Sequence, residues 1–96
     1  MSKVYQVVIY TSILDEEKLA SYAALAGPAM QAVGARFLAR GIPVAVEENG
    51  QKTRTVVIEW ESMEAAEKGY ASEAYQNALA ALDNGAIREF RYVEAA

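Results

Sequence analysis

Segments of extended and helical period alternate along this sequence in the order β, α, β, β, α, β, and that order constrains the fold more than any other feature. Residues 3–11, KVYQVVIYT, place Tyr5, Val7 and Ile9 on one side of an extended chain and Val4, Gln6, Val8 and Tyr10 on the other. Both sets are largely apolar, which predicts a strand covered on both faces. From residue 15 to about residue 33 the spacing turns helical, with Leu19, Tyr22, Ala26 and Met30 on one stripe. Asp15 is the expected N-cap, and Glu16 and Glu17 suit the positive end of the helix dipole. Gly27-Pro28 falls inside this segment, where proline removes a donor and crowds the preceding turn, so a kink or restart is expected there. Gly34 then ends the helix.

Residues 35–40 read as a second strand, and Gly41-Ile42-Pro43 interrupts it. VAVEE is expected to continue extended, and NGQ at 49–51 signals a hairpin into the third strand, TRTVVIEW. Ser62 caps a second helix through Met63, Ala66 and Tyr70, and Ser72-Glu73 restarts it with Tyr75, Ala78 and Leu82. Asp83-Asn84-Gly85 stops that helix, and AIREFRYVEA forms the last strand. The expected fold is α+β, a ferredoxin-like βαββαβ sandwich spanning residues 1–96 as a single domain. It has a four-stranded antiparallel sheet with both helices on one face.

Such a fold leaves one sheet face bare. The purely apolar sets, Phe37 and Ala39 with Val56, Ile58 and Trp60, are expected to face the helices. Arg36, Leu38 and Arg40, with Thr55, Val57 and Glu59, and with Gln6, Val8 and Tyr10 of the first strand, are then expected on the other face. Val8, Leu38 and Val57 would make that face too apolar for water, which predicts a homodimer joined sheet to sheet. A chain of 96 residues, burying only about two-thirds of its unfolded surface, gains from such pairing.

Composition removes whole classes of chemistry. The sequence has no cysteine and no histidine, which excludes Ser-His-Asp and Cys-His catalysis and zinc or haem sites built on those ligands. No metal site is expected from the remaining acids and tyrosines, and no cofactor is assigned. Nine Lys and Arg against thirteen Asp and Glu give a net charge of -4, with no basic run for nucleic acid. The start, MSKVYQVVIYT, lacks the pattern of a signal peptide, and no apolar stretch is long enough for a membrane span. The expected location is the cytoplasm, with no membrane partner.

GARFLARG at 34–41 and TVVIEWESMEAAEKGYASEAYQNA at 55–78 closely resemble the family known as domain of unknown function 1330, within the dimeric α/β-barrel superfamily. The resemblance spans nearly the whole chain. It implies a ferredoxin-like protomer dimerising through its sheet, among relatives that include cofactor-independent oxygenases, haem-degrading enzymes and isomerases. Arg36, Phe37, Leu38, Arg40 and Gly41 match the family's strand-two motif, whereas Ala35 and Ile42 stand where glycines are usual. Ser72-Glu73-Ala74-Tyr75 replaces a Ser-Pro-Glu-Tyr pattern, the following helix has no arginine, and Arg88, Glu89 and Arg91 make the last strand unusually charged.

The candidate site residues are Arg36, Arg40, Tyr10 and Tyr75 as ligand-binding groups and Glu59 as a catalytic acid or base. Arg36 and Glu59 form either an anion site with a proton shuttle or an ion pair that sets dimer register. Arg40 can grip a carboxylate bidentately or form a rim salt bridge. Three functions follow from these readings: a dimer binding a small organic anion in a cleft at the sheet face, a cofactor-independent oxygenase or isomerase using Arg36 and Glu59, or a structural or regulatory dimer without ligand.

Overall fold

A computed structural model describes residues 2–96. Along the chain run β1 (Val4–Ile13), α1 (Glu16–Ala32), β2 (Arg36–Gly41), β3 (Thr55–Trp60), α2 (Met63–Ala71), α3 (Glu73–Leu82) and β4 (Ala86–Glu94). The strands form a 4-stranded antiparallel sheet in the order β2-β3-β1-β4. The helices pack on one face, so the architecture is ferredoxin-like. Among the described residues no helix is long and apolar enough to cross a membrane.

The helix boundaries follow local chemistry. The Asp15 carboxylate accepts from the backbone N–H groups of Glu17 and Lys18, both at 3.0 Å. Ser62 caps α2 by accepting from Ala65, and Ser72 both ends α2 and caps α3. No restart interrupts α1 at Gly27-Pro28, since the helix runs through both residues. Pro28 cannot donate to the Ala24 carbonyl, but Ala24 and Pro28 lie on the exposed side, where that carbonyl is open to solvent. Gly27 has no Cβ to collide with the proline ring, which removes the second objection to helix before proline.

The faces of the sheet correct the expected pattern in two places. On β1 it is Val4, Gln6, Val8 and Tyr10 that turn toward the helices and are buried, paired across the ladder with Trp60, Ile58 and Val56. Both sets of β1 are apolar enough to be covered, so alternation alone could not choose between them. Tyr5, Val7 and Ile9 occupy the open face with Glu59, Val57 and Thr55. Val8 therefore belongs to the core, not to the bare face.

The second correction lies in β2. Phe37 pairs with Ile58, but Ala39 pairs with Val57 and Arg40 with Val56, so Leu38 is the extra residue of a β-bulge. A bulge inverts the alternation beyond it. Arg36 stays on the open face beside Glu59, Ala39 joins that face, and Arg40 crosses to the helix side. The segment 44–48 does not continue the strand: residues 42–54 form an irregular, mostly exposed connection with a turn closed by Gly50 N–H to Glu47 C=O at 2.9 Å. Pairing ends at Gly41 and Thr55, so this segment has no ladder to join.

The core lies between the helices and the sheet. Trp60 and Tyr75 are fully buried among Ile58, Met30, Ala66 and Leu82. Burying each of the large aliphatic side chains contributes about 1.5–3 kcal/mol.

Candidate functional site

Under α1 the core is incomplete. A narrow cleft is left between the helix, whose Ala23, Ala26, Gly27 and Met30 form the roof, and a floor of Gln6, Val8, Tyr10, Val56 and Ile58. Its free space is ≈ 50 Å³, room for a few waters or one small polar group, since a single water needs about 10–15 Å³ on the same measure. A Cβ built on Gly27 would meet nothing within 4 Å, so the roof is open at that position.

Successive ladder rows order the floor. Tyr10 pairs with Arg88 on β4, and its N–H donates to the Arg54 carbonyl just before β3. One row along, Val8 lies between Phe90 and Val56, and Val56 pairs with Arg40. In the next row Gln6 lies between Tyr92 and Ile58, and Ile58 pairs with Phe37. The antiparallel register thus gathers Arg40, Arg54 and Arg88 from separate strand ends around one apolar row, with Gln6 beyond it.

The three guanidiniums rest on aromatic faces. Arg88 is 4.7 Å from the ring centroids of Tyr22 and Phe90 and 5.5 Å from that of Tyr10, Arg54 is 5.6 Å from Tyr10, and Arg40 is 5.6 Å from Phe37. Each such contact stabilises a cation by about 0.5–2 kcal/mol, depending on how far it is desolvated. Among the described residues none of the three is in an ion pair, and no Asp or Glu lines the cleft. In a chain of net charge -4, the acids have been kept out of this space.

Two buried donors have no partner in the structure, Gln6 Nε2 and Arg54 Nε, and both residues line the cleft. Gln6 is only 1% exposed. Its other polar atom is committed: the Trp60 indole N–H donates to Gln6 Oε1 at 2.9 Å. Leaving a buried donor unsatisfied costs about 1–3 kcal/mol, so two such groups among the residues of one cleft point to a polar occupant there.

Behind the cleft, the hydroxyls of Tyr22 and Tyr75 are 2.8 Å apart and their rings meet edge to face. Burial, and then the neighbouring Tyr22, push the Tyr75 phenol well above its ordinary value, so it is neutral at pH 7. Tyr22 lines the cleft and Tyr75 does not. Tyr75 therefore holds Tyr22 in place from the second layer. A broader, open groove of ≈ 880 Å³ lies between α2, α3 and β4, with Glu67, Asp83 and Arg88 on its wall. Two carboxylates share its wall with Arg88, Asp83 being paired with Lys18 at 2.7 Å, and neither Gln6 nor Arg54 lines it.

The residues expected from sequence are thus divided between the two faces. Tyr10 and Arg40 meet in the cleft with Tyr75 behind it. Arg36 and Glu59 lie on the open face, Arg36 Nη1 3.8 Å and Lys3 Nζ 3.5 Å from Glu59 Oε1, so this pair neither lines the cleft nor touches Arg40. Sequence reasoning missed Gln6, Arg54 and Arg88 as site residues. The available signal was Gln6 as the one polar side chain in the set Val4, Gln6, Val8, Tyr10, and the alternation of Arg88 with Phe90 and Tyr92. Among the described residues no group of three or more acids is close enough to hold a metal ion.

Solved structures resemble this one in fold. A protein of unknown function from Rhodopseudomonas palustris superposes with a TM-score of 0.77 at 12% identity, covering 99% of this chain and 83% of that one. SnoaB, a cofactor-independent oxygenase from Streptomyces nogalater, gives a TM-score of 0.72 at 14% identity, covering 100% and 95%. A dimeric ferredoxin-like protein of unknown function from Jannaschia sp. CCS1 gives 0.69 at 11% identity, covering 97% and 99%. At such identities the likeness is one of fold, and one fold hosts unrelated functions. Among curated proteins none matches the sequence. The sequence model of one family, however, matches residues 3–96, and on that match, together with the βαββαβ order and the sheet it builds, the chain belongs to the domain of unknown function DUF1330 family.

Proposed function

We propose that this protein is a homodimer that binds a small organic anion in the cleft between α1 and the sheet. The observation that carries the reading is the lining: three arginines, no carboxylate, and two buried donors without partners. Water can bridge the donors for a time but cannot neutralise the cations. An anion can do both, and a unit charge about 4 Å from one guanidinium gains roughly 4 kcal/mol at an effective dielectric of 20. Arg40 and Arg54 stand at strand ends where they can close on a carboxylate bidentately, while Arg88 anchors from the β4 side.

Dimerisation uses the other face. Tyr5, Val7, Ile9 and Val57 are only half covered there, and Leu38, Ile87 and Val93 are exposed. The charges on that face are already paired, Arg36 and Lys3 with Glu59, and Arg91 with Glu89 at 2.9 Å. Both they and the apolar strip suit a second copy, and proteins of this fold are described as dimeric. In this reading Arg36 and Glu59 fix the register of the two sheets instead of performing chemistry.

Native mass spectrometry of freshly purified protein, followed by calorimetric titration with formate, acetate and propionate, tests both parts. The expected results are a dimer and carboxylate binding that weakens with salt and falls on the order of tenfold or more in Arg88→Met, the loss of a hydrogen bond to a charged group. A monomer would overturn the dimer. Absence of binding by every carboxylate, or binding indifferent to Arg88→Met and to salt, would overturn the anion site.

A further inference from the structure

Resting on the homodimer just proposed, the connection 42–54 and the groove beside β4 supply a second contact between copies. We propose that the arm 42–46 of one copy docks along the β4 edge of its partner, with Ile42, Val44 and Val46 in the groove that lies there between β4 and the helices α2 and α3. The arm, IPVAV, leaves β2 at Gly41, where pairing with Thr55 ends, and it carries no charge before Glu47. Val44 is 98% exposed, Ile42 is 62% exposed, and Val46 is exposed beside them. Apolar side chains at every second position of a segment without a ladder of its own, all left in water, mark an interaction surface.

The arm is suited to a sheet edge. An extended chain turns the side chains of successive residues to opposite faces, and their N–H and C=O groups to opposite neighbours. Ile42, Val44 and Val46 therefore share one face and bond to one neighbour, while Pro43, which has no N–H, falls in the set that turns away from it. β4 offers the matching edge: it is an end strand of nine residues, paired with β1 alone, so the backbone groups on its outer side have no strand to join. Beside it runs the open groove of ≈ 880 Å³, with Met63, Tyr70 and Leu79 on the helix side and Phe90 and Tyr92 on the strand side. Met63 and Tyr70 are themselves exposed. A strand added at such an edge takes affinity from its main-chain bonds and specificity from alternate side chains that enter the groove.

Topology makes the contact one between copies. The sheet order β2-β3-β1-β4 puts the arm on the β2–β3 side and the groove at the opposite edge. When two sheets pack face to face about a two-fold axis parallel to the strands, the rotation exchanges left and right, and the β2 edge of each copy comes to lie over the β4 edge of the other. Five extended residues reach about 16 Å, more than the roughly 10 Å between packed sheets, so the arm can pass round that edge to its helix side. Both arms are then exchanged in one closed pair, and the contact continues the sheet-to-sheet interface.

The full chain has no cysteine, so introduced cysteines report proximity without background. Val44→Asp, at a position the protomer leaves in water, is expected to keep the wild-type circular dichroism and to weaken the dimer on the order of hundredfold by analytical ultracentrifugation, about one buried apolar side chain lost at each of two equivalent arms. Leu25→Asp, on the exposed side of α1, leaves dimerisation unchanged. Oxidation of the double variant Val44→Cys/Tyr70→Cys with diamide gives a covalent dimer on a non-reducing gel, whereas neither single variant nor Leu25→Cys/Tyr70→Cys does so. If Val44→Asp dimerises like the wild type, if the paired cysteines close within one chain, or if Val44→Cys alone crosslinks as readily as the pair, the arm does not occupy the partner's groove and the sheet-to-sheet dimer stands. If the wild-type protein sediments as a monomer at every concentration, the arm contact falls together with the dimer.

Discussion

Replacing Gln6 by methionine asks whether the buried amide serves the fold or a ligand. In the folded protein, Gln6 accepts one hydrogen bond from Trp60, and Nε2 has no partner among the protein's own groups. The substitution strands the Trp60 indole N–H, which costs about 1–3 kcal/mol, and removes the stranded amide N–H groups, which returns a similar amount. Methionine is close to glutamine in volume and flexible enough to fill the gap, so packing adds little. The two terms cancel to within about 1 kcal/mol, equivalent to a melting shift of less than roughly 8 °C for a chain of this size. Urea denaturation reads this directly, as a midpoint nearly that of the wild type with the same slope. A loss above about 3 kcal/mol would refute the reasoning, since it would mean that the amide is fully satisfied in the folded protein and structural. A retained fold combined with weakened carboxylate binding is the expected pairing, because functional polar groups are commonly held at a cost to stability.

Other expected outcomes concern packing and pH. A Cβ added at Gly69 would lie 2.5 Å from Cη2 and 3.1 Å from Cζ3 of the immobile Trp60 ring and 3.3 Å from Val33 Cγ2, so Gly69→Ala should lose about 1–2 kcal/mol despite a gain of about 1 kcal/mol in helix propensity; thermal melts check this. Pro28→Ala restores a donor to the middle of α1 on its exposed side, and should stabilise by about 1–2 kcal/mol after the greater freedom of the unfolded chain is subtracted, as read by urea midpoints. The hydrogen-bonded Lys18–Asp83 pair, at 2.7 Å, holds the Asp83 carboxyl below its ordinary 3.8 and the Lys18 ammonium above its ordinary 10.5. Its contribution is therefore present above pH 3.8 and lost as pH falls through the lowered Asp83 value, and present below pH 10.5 and lost as pH rises through the raised Lys18 value. Both groups are exposed, so the effect is small; Asp83→Asn should flatten both arms of the stability profile without moving its neutral-pH plateau far.

Element order and helix caps were legible because each depends on a few adjacent residues, whereas the connection 42–54 was not, its expected extended arm finding no ladder to join. Asp15, Ser62 and Ser72 cap helices through side-chain oxygens that reach only the next turn, and Gly34 takes a φ of 99°, a conformation glycine enters without a Cβ penalty. From these signals alone the sheet, its helices and a bare second face could be read, and with them the expectation of a partner copy. The absence of histidine and cysteine likewise limited the chemistry without reference to any contact.

The site was decided by tertiary structure. Whether Val8 and Tyr10 or Val7 and Ile9 face the helices depends on partners more than forty residues away, since both sets are apolar and alternation treats them alike. The bulge at Leu38 has no signature in GARFLARG, yet it alone sends Arg40 to the helix side and leaves Arg36 with Glu59 on the other. Arg54 and Arg88 come together with Arg40 only because the ladders align their strand ends, and the Gln6 amide becomes a fixed donor only because Trp60, from β3, takes its oxygen. Signals between near neighbours along the chain therefore set the elements, their order and the chemistry available to them, which are local properties. Register, bulge and the long-range Trp60–Gln6 contact determined which charges share a space, because those depend on how distant segments meet.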